Sequence, residues 1–242
     1  MIYDAHCHLH EFPDEYIEKL INSKRYVITA VSDDLRSSLR TLKLYEKFRE
    51  SINPCIGIHP WVIEKTDRKD LEVILGLIER LNVKCIGEVG LDRVFVPQSI
   101  DKQIEFFLQI LEFVRGKDIV LNIHAPGAWS QILELLQRYD ISKAIIHWYT
   151  GPQELLRELR EGGYMISINP AVKIQKKHQE IVSKADLEMI LVESDGPYEY
   201  KGLKLSPELI EDTINLIAEI KKIDSLELKK IIESNYKKLF NQ

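Results

Sequence analysis

Lys84-Cys85-Ile86-Gly87-Glu88, then Ser99 to Arg115, then Ile119-Val120-Leu121-Asn122-Ile123 is the stretch that decides the fold. The first run is short, apolar and ends in a carboxylate. The middle segment carries Ile104, Phe107, Leu108 and Leu111 at helical spacing, and the last run is again short and apolar. Strand, helix, strand is the unit of a parallel sheet. Continuous apolar strands are what such a sheet needs when both of its faces are covered.

The same unit repeats in both directions. Upstream, residues 2–6, 26–31 and 52–58 read as strands. Residues 13–22 and 70–81 read as helices, with another between them that carries Leu35, Leu39, Leu42 and Phe48 behind a cap at Ser32 or Asp33. Downstream, residues 144–147, 164–168 and 189–193 read as strands, and residues 129–139, 153–161 and 176–184 as helices. Ser206-Pro207-Glu208 opens a helix reaching about residue 222, with serine as cap and proline at its first position. Asp224 with Glu227 has the spacing of a capping box for a last helix ending near Phe240. Eight strands, each followed by a helix, predict an α/β fold. It is a single (β/α)8 TIM-type barrel with an extra C-terminal helix, one domain over residues 1–242. An open doubly wound sheet would want a glycine-rich loop after an early strand, and the sequence has none.

Composition narrows the function. With 242 residues, 45% of them hydrophobic and 29% charged, the chain buries a sizeable core without disulfide staples. A net charge of −5 excludes a broadly basic coat for nucleic acid. No apolar run approaches the roughly 20 residues of a membrane span, and the N-terminus has no secretory pattern. Cys7, Cys55 and Cys85 lie in apolar segments, so three buried, reduced thiols in a cytoplasmic protein are expected. The lysine pairs at 221–222, 229–230 and 237–238 are interleaved with acids and read as a solvated helix face.

A βα barrel places its chemistry at the C-terminal ends of its strands. His6, His8, His59, His124 and His147 fall at such ends, five of the seven histidines in the chain. Glu88, Glu193 and Asp195 fall there too. His6 and His8 are two apart on a strand and therefore share a face, while Cys7 points the other way. His6, His8, Glu88, His124, His147 and Asp195 form a set of six nitrogen and oxygen donors, more than one tetrahedral ion needs. They suit two divalent metals about 3.5–4 Å apart, with Glu88 as bridge because its strand lies between the two sets. The donor types suit Zn, Mn, Co or Fe, and with water also Mg. Asp92 is expected to anchor the loop after Glu88. Glu193 is either an inward strand residue or a partner of a ligand.

The ordered segments Asp4-Ala5-His6-Cys7-His8-Leu9, Gly57-Ile58-His59-Pro60, Ile86-Gly87-Glu88-Val89-Gly90-Leu91-Asp92, Ile123-His124, His147-Trp148-Tyr149-Thr150-Gly151 and Glu193-Ser194-Asp195-Gly196-Pro197-Tyr198 span nearly the whole chain. Asn235 through Leu239-Phe240 closes the set. Together they resemble the TatD-related deoxyribonucleases, a branch of the amidohydrolase-like metal-dependent hydrolases. The resemblance implies metal-dependent hydrolysis of phosphodiester bonds in DNA. It assigns one metal to His6, His8, Glu88 and Asp195, and the second to Glu88, His124 and His147. A glutamate at residue 88 also separates the chain from relatives that bridge with a carbamylated lysine. Three positions depart from the family pattern. Ala125-Pro126 follows His124 where the family usually has an arginine two residues on. Trp61 stands where a second histidine is common. Residues 198–206 offer Lys201 and Lys204 in place of an arginine-containing segment.

The expected activity is exonucleolytic, acting as a monomer on DNA ends or single-stranded DNA, with a water activated between two metal ions. Asp195 is the expected base, Glu88 the bridging ligand, and His59 a phosphate contact or proton donor to the leaving oxygen. A histidine that merely fixes its own loop is the plainer reading of His59. Trp61 is a candidate to stack on a base. An amidohydrolase or esterase attacking a carbonyl with the same centre is the alternative, because fold and metal site do not fix substrate. A non-catalytic metal scaffold would be expected to lack a ligand, and none is lacking.

Overall fold

A computed structural model describes residues 1–241. The eight parallel strands are β1 (Ile2–Cys7), β2 (Tyr26–Ala30), β3 (Ile52–Pro54), β4 (Cys85–Gly90), β5 (Val120–His124), β6 (Ala144–Ile146), β7 (Met165–Ile168) and β8 (Ile190–Val192). Helices α1 (Asp14–Asn22), α2 (Leu35–Lys47), α3 (Arg68–Leu81), α4 (Ile100–Val114), α5 (Trp129–Arg138), α6 (Leu155–Glu161) and α7 (Lys176–Lys184) alternate with them. After β8 come a hairpin of β9 (Glu199–Tyr200) and β10 (Leu203–Lys204), then α8 (Ile210–Lys221) and α9 (Ser225–Phe240). This is the α/β barrel architecture, with α9 as the extra C-terminal helix.

The strands form two ladders, β1-β2-β3 and β4-β5-β6-β7-β8. Irregular backbone bonds join their seams. Where the first ladder meets β4, Gly87 N–H donates to Ile56 O just past β3 (3.2 Å), and Glu88 N–H to Ser32 O just past β2 (2.9 Å). At the β8–β1 seam, Asp195 N–H donates to His6 O and His8 N–H to Gly196 O, both 2.9 Å. The register shifts between Asp4 and Cys7 on β1, and between Ile86 and Val89 on β4. Such irregularities re-aim side chains, and here they flank His6 and Glu88. Close approach of β4 to β5 also requires glycine at two positions. A Cβ on Gly87 would sit 2.6 Å from Asn122 Cβ, and one on Gly90, whose φ is 142°, 2.1 Å from His124 O.

Several local expectations are corrected. Asp34, not Ser32 or Asp33, caps α2, in a reciprocal box with Ser37. That leaves the Asp33 carboxylate free to face histidines. Leu39 lies outward on α2, 44% exposed, because Ser38, Thr41 and Leu42 take the buried face. Pro207 opens a 3-10 turn before α8 rather than the α-helix itself, and Ser206 makes no side-chain cap. Asp224 caps α9 as expected, accepting from Leu226 N–H and Glu227 N–H. The β9–β10 hairpin was not expected; Lys201 and Gly202, both at positive φ, make its tight turn.

The expectation of three free thiols also fails. Cys55 and Cys85 face each other across the β3–β4 seam as a parallel bridge, with Cα atoms 4.4 Å apart, and form a disulfide. Cys7 is the one free cysteine, buried, with its Sγ 3.6 Å from Gly196 O. No helix among the described residues is long and apolar enough to cross a membrane.

Candidate metal centre

Glu88 ends up buried, 1% exposed, at the centre of five imidazoles. Its Oε2 lies 3.3 Å from His6 Nε2 and 3.2 Å from His8 Nε2. Its Oε1 lies 2.8 Å from His124 Nδ1, 3.0 Å from His147 Nε2 and 3.2 Å from His59 Nε2. Despite these distances, neither Glu88 oxygen has a hydrogen-bond partner. A buried carboxylate without hydrogen bonds is expensive, and it is retained where a cation compensates it.

The far side of each ring explains why. Asn122 Nδ2 donates to Ala5 O (2.8 Å), which turns its Oδ1 toward His6 Nδ1 at 2.8 Å. His6 therefore carries its proton on Nδ1 and points a lone pair inward. His124 Nε2 donates to Asp92 Oδ2 (2.9 Å), leaving Nδ1 as its inward atom. His8 Nδ1 faces Asp33 Oδ1 at 3.0 Å, and His147 Nδ1 faces Glu193 Oε1 at 3.5 Å. The acceptors on His6 and His124 fix the tautomer, as outer partners of metal-binding histidines do, while His8 and His147 face their carboxylates as charge partners without a hydrogen bond. Inward, His6 Nε2 lies 3.3 Å from His8 Nε2, and His124 Nδ1 lies 3.2 Å from His147 Nε2. Two lone pairs so close repel unless a cation lies between them. Nitrogens bound about 2.1 Å from one ion stand about 3.0–3.4 Å apart, so the donor set fits metal.

Charge balance says the same. Burial opposes protonation of His6, yet Glu88 and Asp195 raise its pKa to about 10. Burial likewise opposes a charge on His8, and Asp33 with Glu88 raises its pKa to about 10. Burial should lift Glu88, but the surrounding histidines hold it well below the usual carboxylate range. The cluster demands positive charge, whether from protons or from metal.

All six expected ligands converge. Asp195 Oδ1 lies 3.5 Å from His6 Nε2 and 3.6 Å from His8 Nε2. Asp195 holds a positive φ of 50°, and Trp148, next to His147, one of 41°. Such backbone is costly outside glycine and collects at functional sites. Among the described residues, the groups that could hold an ion are His6–Glu88–His147, His6–His8–Asp195, His59–Glu88–His124 and His8–His10–Asp33. His59 thus stands closer to the centre than expected. Its Nδ1 accepts from Trp61 N–H (3.0 Å), so its proton is on Nε2, which makes it a donor toward the cavity rather than a lone pair.

Four partners escaped the sequence reading. Asp33 joins His8 to His10, whose Nε2 lies 3.1 Å from Asp33 Oδ2 and whose Nδ1 lies 3.2 Å from Val31 O. Asn122 was readable in principle, since it lies two residues before His124 and so shares its face of β5. Asp4 Oδ1 accepts from His6 N–H (3.2 Å) and Ser194 N–H (2.8 Å), tying β1 to the segment after β8. Burial raises the Asp4 carboxyl to about 7. Glu193 resolves as a partner of the centre: it faces His147 Nδ1 at 3.5 Å and accepts from Trp148 N–H (2.9 Å) and from the Ser167 hydroxyl. Asp92 does anchor its loop, accepting from Val94 N–H and Phe95 N–H.

A cavity of about 570 Å³ opens over the centre, lined by His59, Glu88, His124, His147 and Asp195 and rimmed by aromatic residues. The paired lysines lie elsewhere. Lys229 and Lys237 pair with Glu211 and Glu233, and Lys221 binds the Ala185 carbonyl.

The family profile described as TatD related DNase matches residues 3–241. The chain belongs to the TatD family. It is a metal-dependent hydrolase of that family. A relative from Methanocaldococcus jannaschii, described as an uncharacterized metal-dependent hydrolase, is 30% identical over 99% of this chain and 96% of its own. The human deoxyribonuclease TATDN3 is 27% identical over 98% of this chain and 93% of its own. Among solved structures, the TatD homologue YJJV of Escherichia coli superposes with a TM-score of 0.88 at 21% identity. That match covers 100% of this chain and 98% of the other, and it shows the shared fold.

Proposed function

We propose that this TatD-family hydrolase is a deoxyribonuclease that releases nucleotides from DNA ends, with its whole length as one catalytic domain. The observation that carries the reading is Glu88. Its two oxygens face different imidazoles, His6 and His8 on one side, His124 and His147 on the other. This supports a two-ion centre, with Asp195 completing the His6–His8 side and Glu88 shared. The human relative named as a deoxyribonuclease supports the choice of substrate. Bound divalent ions would supply an acidified water and positive charge for the phosphate oxygens.

The chain's own groups do the rest. Asp195 is 5% exposed, lines the cavity, and takes the proton of the attacking water on its carboxylate. His59 Nε2–H points at the same mouth and donates a hydrogen bond that stabilises the negative charge on the leaving oxygen, whose proton comes from solvent. Burial holds the His59 pKa below its ordinary value, which keeps the ring neutral and its tautomer fixed by Trp61. Asn122 and Asp92 hold the His6 and His124 rings by hydrogen bonds, and Asp33 and Glu193 face the His8 and His147 rings as charge partners.

The test is nucleotide release from end-labelled single-stranded DNA by protein loaded with Mg, Mn, Zn or Co, with Asp195→Asn beside it. Release by the native protein that disappears in the variant supports the reading, and the label reports polarity. No release with any ion sinks it and leaves carbonyl substrates as the alternative for the same centre.

A further inference from the structure

The rim of the cavity is aromatic where a nuclease groove is usually basic. Beyond the histidines, Lys177 is the one cation among the described residues lining it, and Glu11 and Asp33 line it as well. Two aromatic clusters stand on different arcs of the barrel mouth. After β3 and β4, Trp61 and Phe95 meet edge to face, ring centroids 5.7 Å apart. After β6 and β8, Trp148 meets Tyr198 at 6.0 Å and Tyr200 at 5.2 Å.

Both clusters are built alike. Each has an indole pinned through its N–H: Trp61 Nε1 donates to Asp92 Oδ2 (2.7 Å), and Trp148 Nε1 to Gln175 Oε1 (2.8 Å). Each also offers a ring open to solvent, Phe95 at 62% and Tyr198 at 41% exposure. Fixed, half-exposed rings lose little freedom when a flat ligand stacks on them, and any base presents such a face. The pinning also ties the clusters to the centre. Asp92 holds His124 as well as Trp61, and Trp148 follows His147 directly.

We propose that the clusters are stacking platforms for the two bases that flank the scissile phosphate. The substrate is then an unpaired strand end, because paired bases in a duplex keep their faces buried. The proposal rests on the nuclease reading and adds to it how the strand is gripped. It also answers the missing arginine after His124: base stacking supplies the affinity that phosphate contacts supply elsewhere.

The experiment uses full-length, metal-loaded protein and three single-stranded oligonucleotides. One carries every base; the others are abasic on the 5′ side or the 3′ side of the scissile bond. With the native protein, KM rises at least about fivefold for each abasic strand. Phe95→Ala raises KM for the full strand by a similar factor and erases discrimination at one flank; Tyr198→Ala does so at the other. Phe95→Trp and Tyr198→Phe restore native KM. With a single lysine at the mouth, raising salt from 50 to 200 mM changes KM by less than about threefold. Equal KM for full and abasic strands, or discrimination untouched by either alanine, overturns the platforms while nucleotide release continues. Native protein that cleaves no oligonucleotide with any ion overturns the nuclease reading and the platforms together, so the two failures are told apart.

Discussion

Replacing Asp92 by asparagine tests whether the outer partners of the centre matter as argued. The Asp92 carboxylate accepts four hydrogen bonds. Oδ1 takes Val94 N–H (2.8 Å) and Phe95 N–H (2.7 Å); Oδ2 takes Trp61 Nε1–H (2.7 Å) and His124 Nε2–H (2.9 Å). Asparagine keeps one oxygen and turns an NH2 group against the other two donors. Two donors lose their partner whichever way the amide flips. At about 1–3 kcal/mol for each unsatisfied buried donor, the fold loses about 2–6 kcal/mol. The loop amides border solvent, so the low end applies if the amide oxygen stays with the rings. If it turns to the loop, His124 loses the acceptor that fixes its tautomer, and metal affinity falls about 10- to 100-fold. Urea unfolding gives the first number and calorimetric metal titration the second. A variant with native midpoint and native metal affinity would refute the reasoning, because it would show that the four bonds do no work.

Three other perturbations follow from the same geometry. His59→Ala should slow turnover about 10²- to 10³-fold with native metal content, as loss of one donor to the leaving oxygen; a variant that arrives short of metal would make His59 a ligand instead. Removing metal should create a pH dependence of stability. The folded-state pKa values of His6 and His8, about 10, lie above the ordinary value of about 6.5, so their contribution is complete below pH 6.5 and lost as pH rises through 10. Melting temperature in a chelator should fall across that range and stay flat in the loaded protein; parallel curves would contradict the account. Thiol titration of the unreduced, denatured chain should find one reactive group, Cys7, and a count of three would remove the Cys55–Cys85 disulfide.

Much of this centre is legible without coordinates. A histidine pair at spacing two must share a strand face, and a rim that collects five histidines at strand ends identifies itself. What stays hidden is contact between elements whose relation the sequence does not encode. Asp33 reads as a helix cap until Asp34 takes that position. His10 lies outside the strand pattern and reaches the centre through Asp33. Cys55 sits just past the end of β3 and Cys85 at the start of β4, but their pairing comes from packing at the seam, which no local pattern reports. The hairpin bearing Tyr200 is too short for its alternation to stand out, and so the second aromatic cluster escapes the reading.

The seam between β8 and β1 has a consequence for how the enzyme comes into being. His6 and His8 leave the ribosome first, while Asp195 and Glu193 come almost two hundred residues later. The bonds from Asp195 N–H to His6 O and from His8 N–H to Gly196 O form only when the two ends of the barrel meet. A nascent chain short of this point therefore carries five of the six donors but lacks Asp195, and cannot offer its full donor set to an ion. Loading waits for closure. Full occupancy by metal is thus a certificate of completed folding, and a chain stalled or cut before β8 lacks the complete hydrolytic centre.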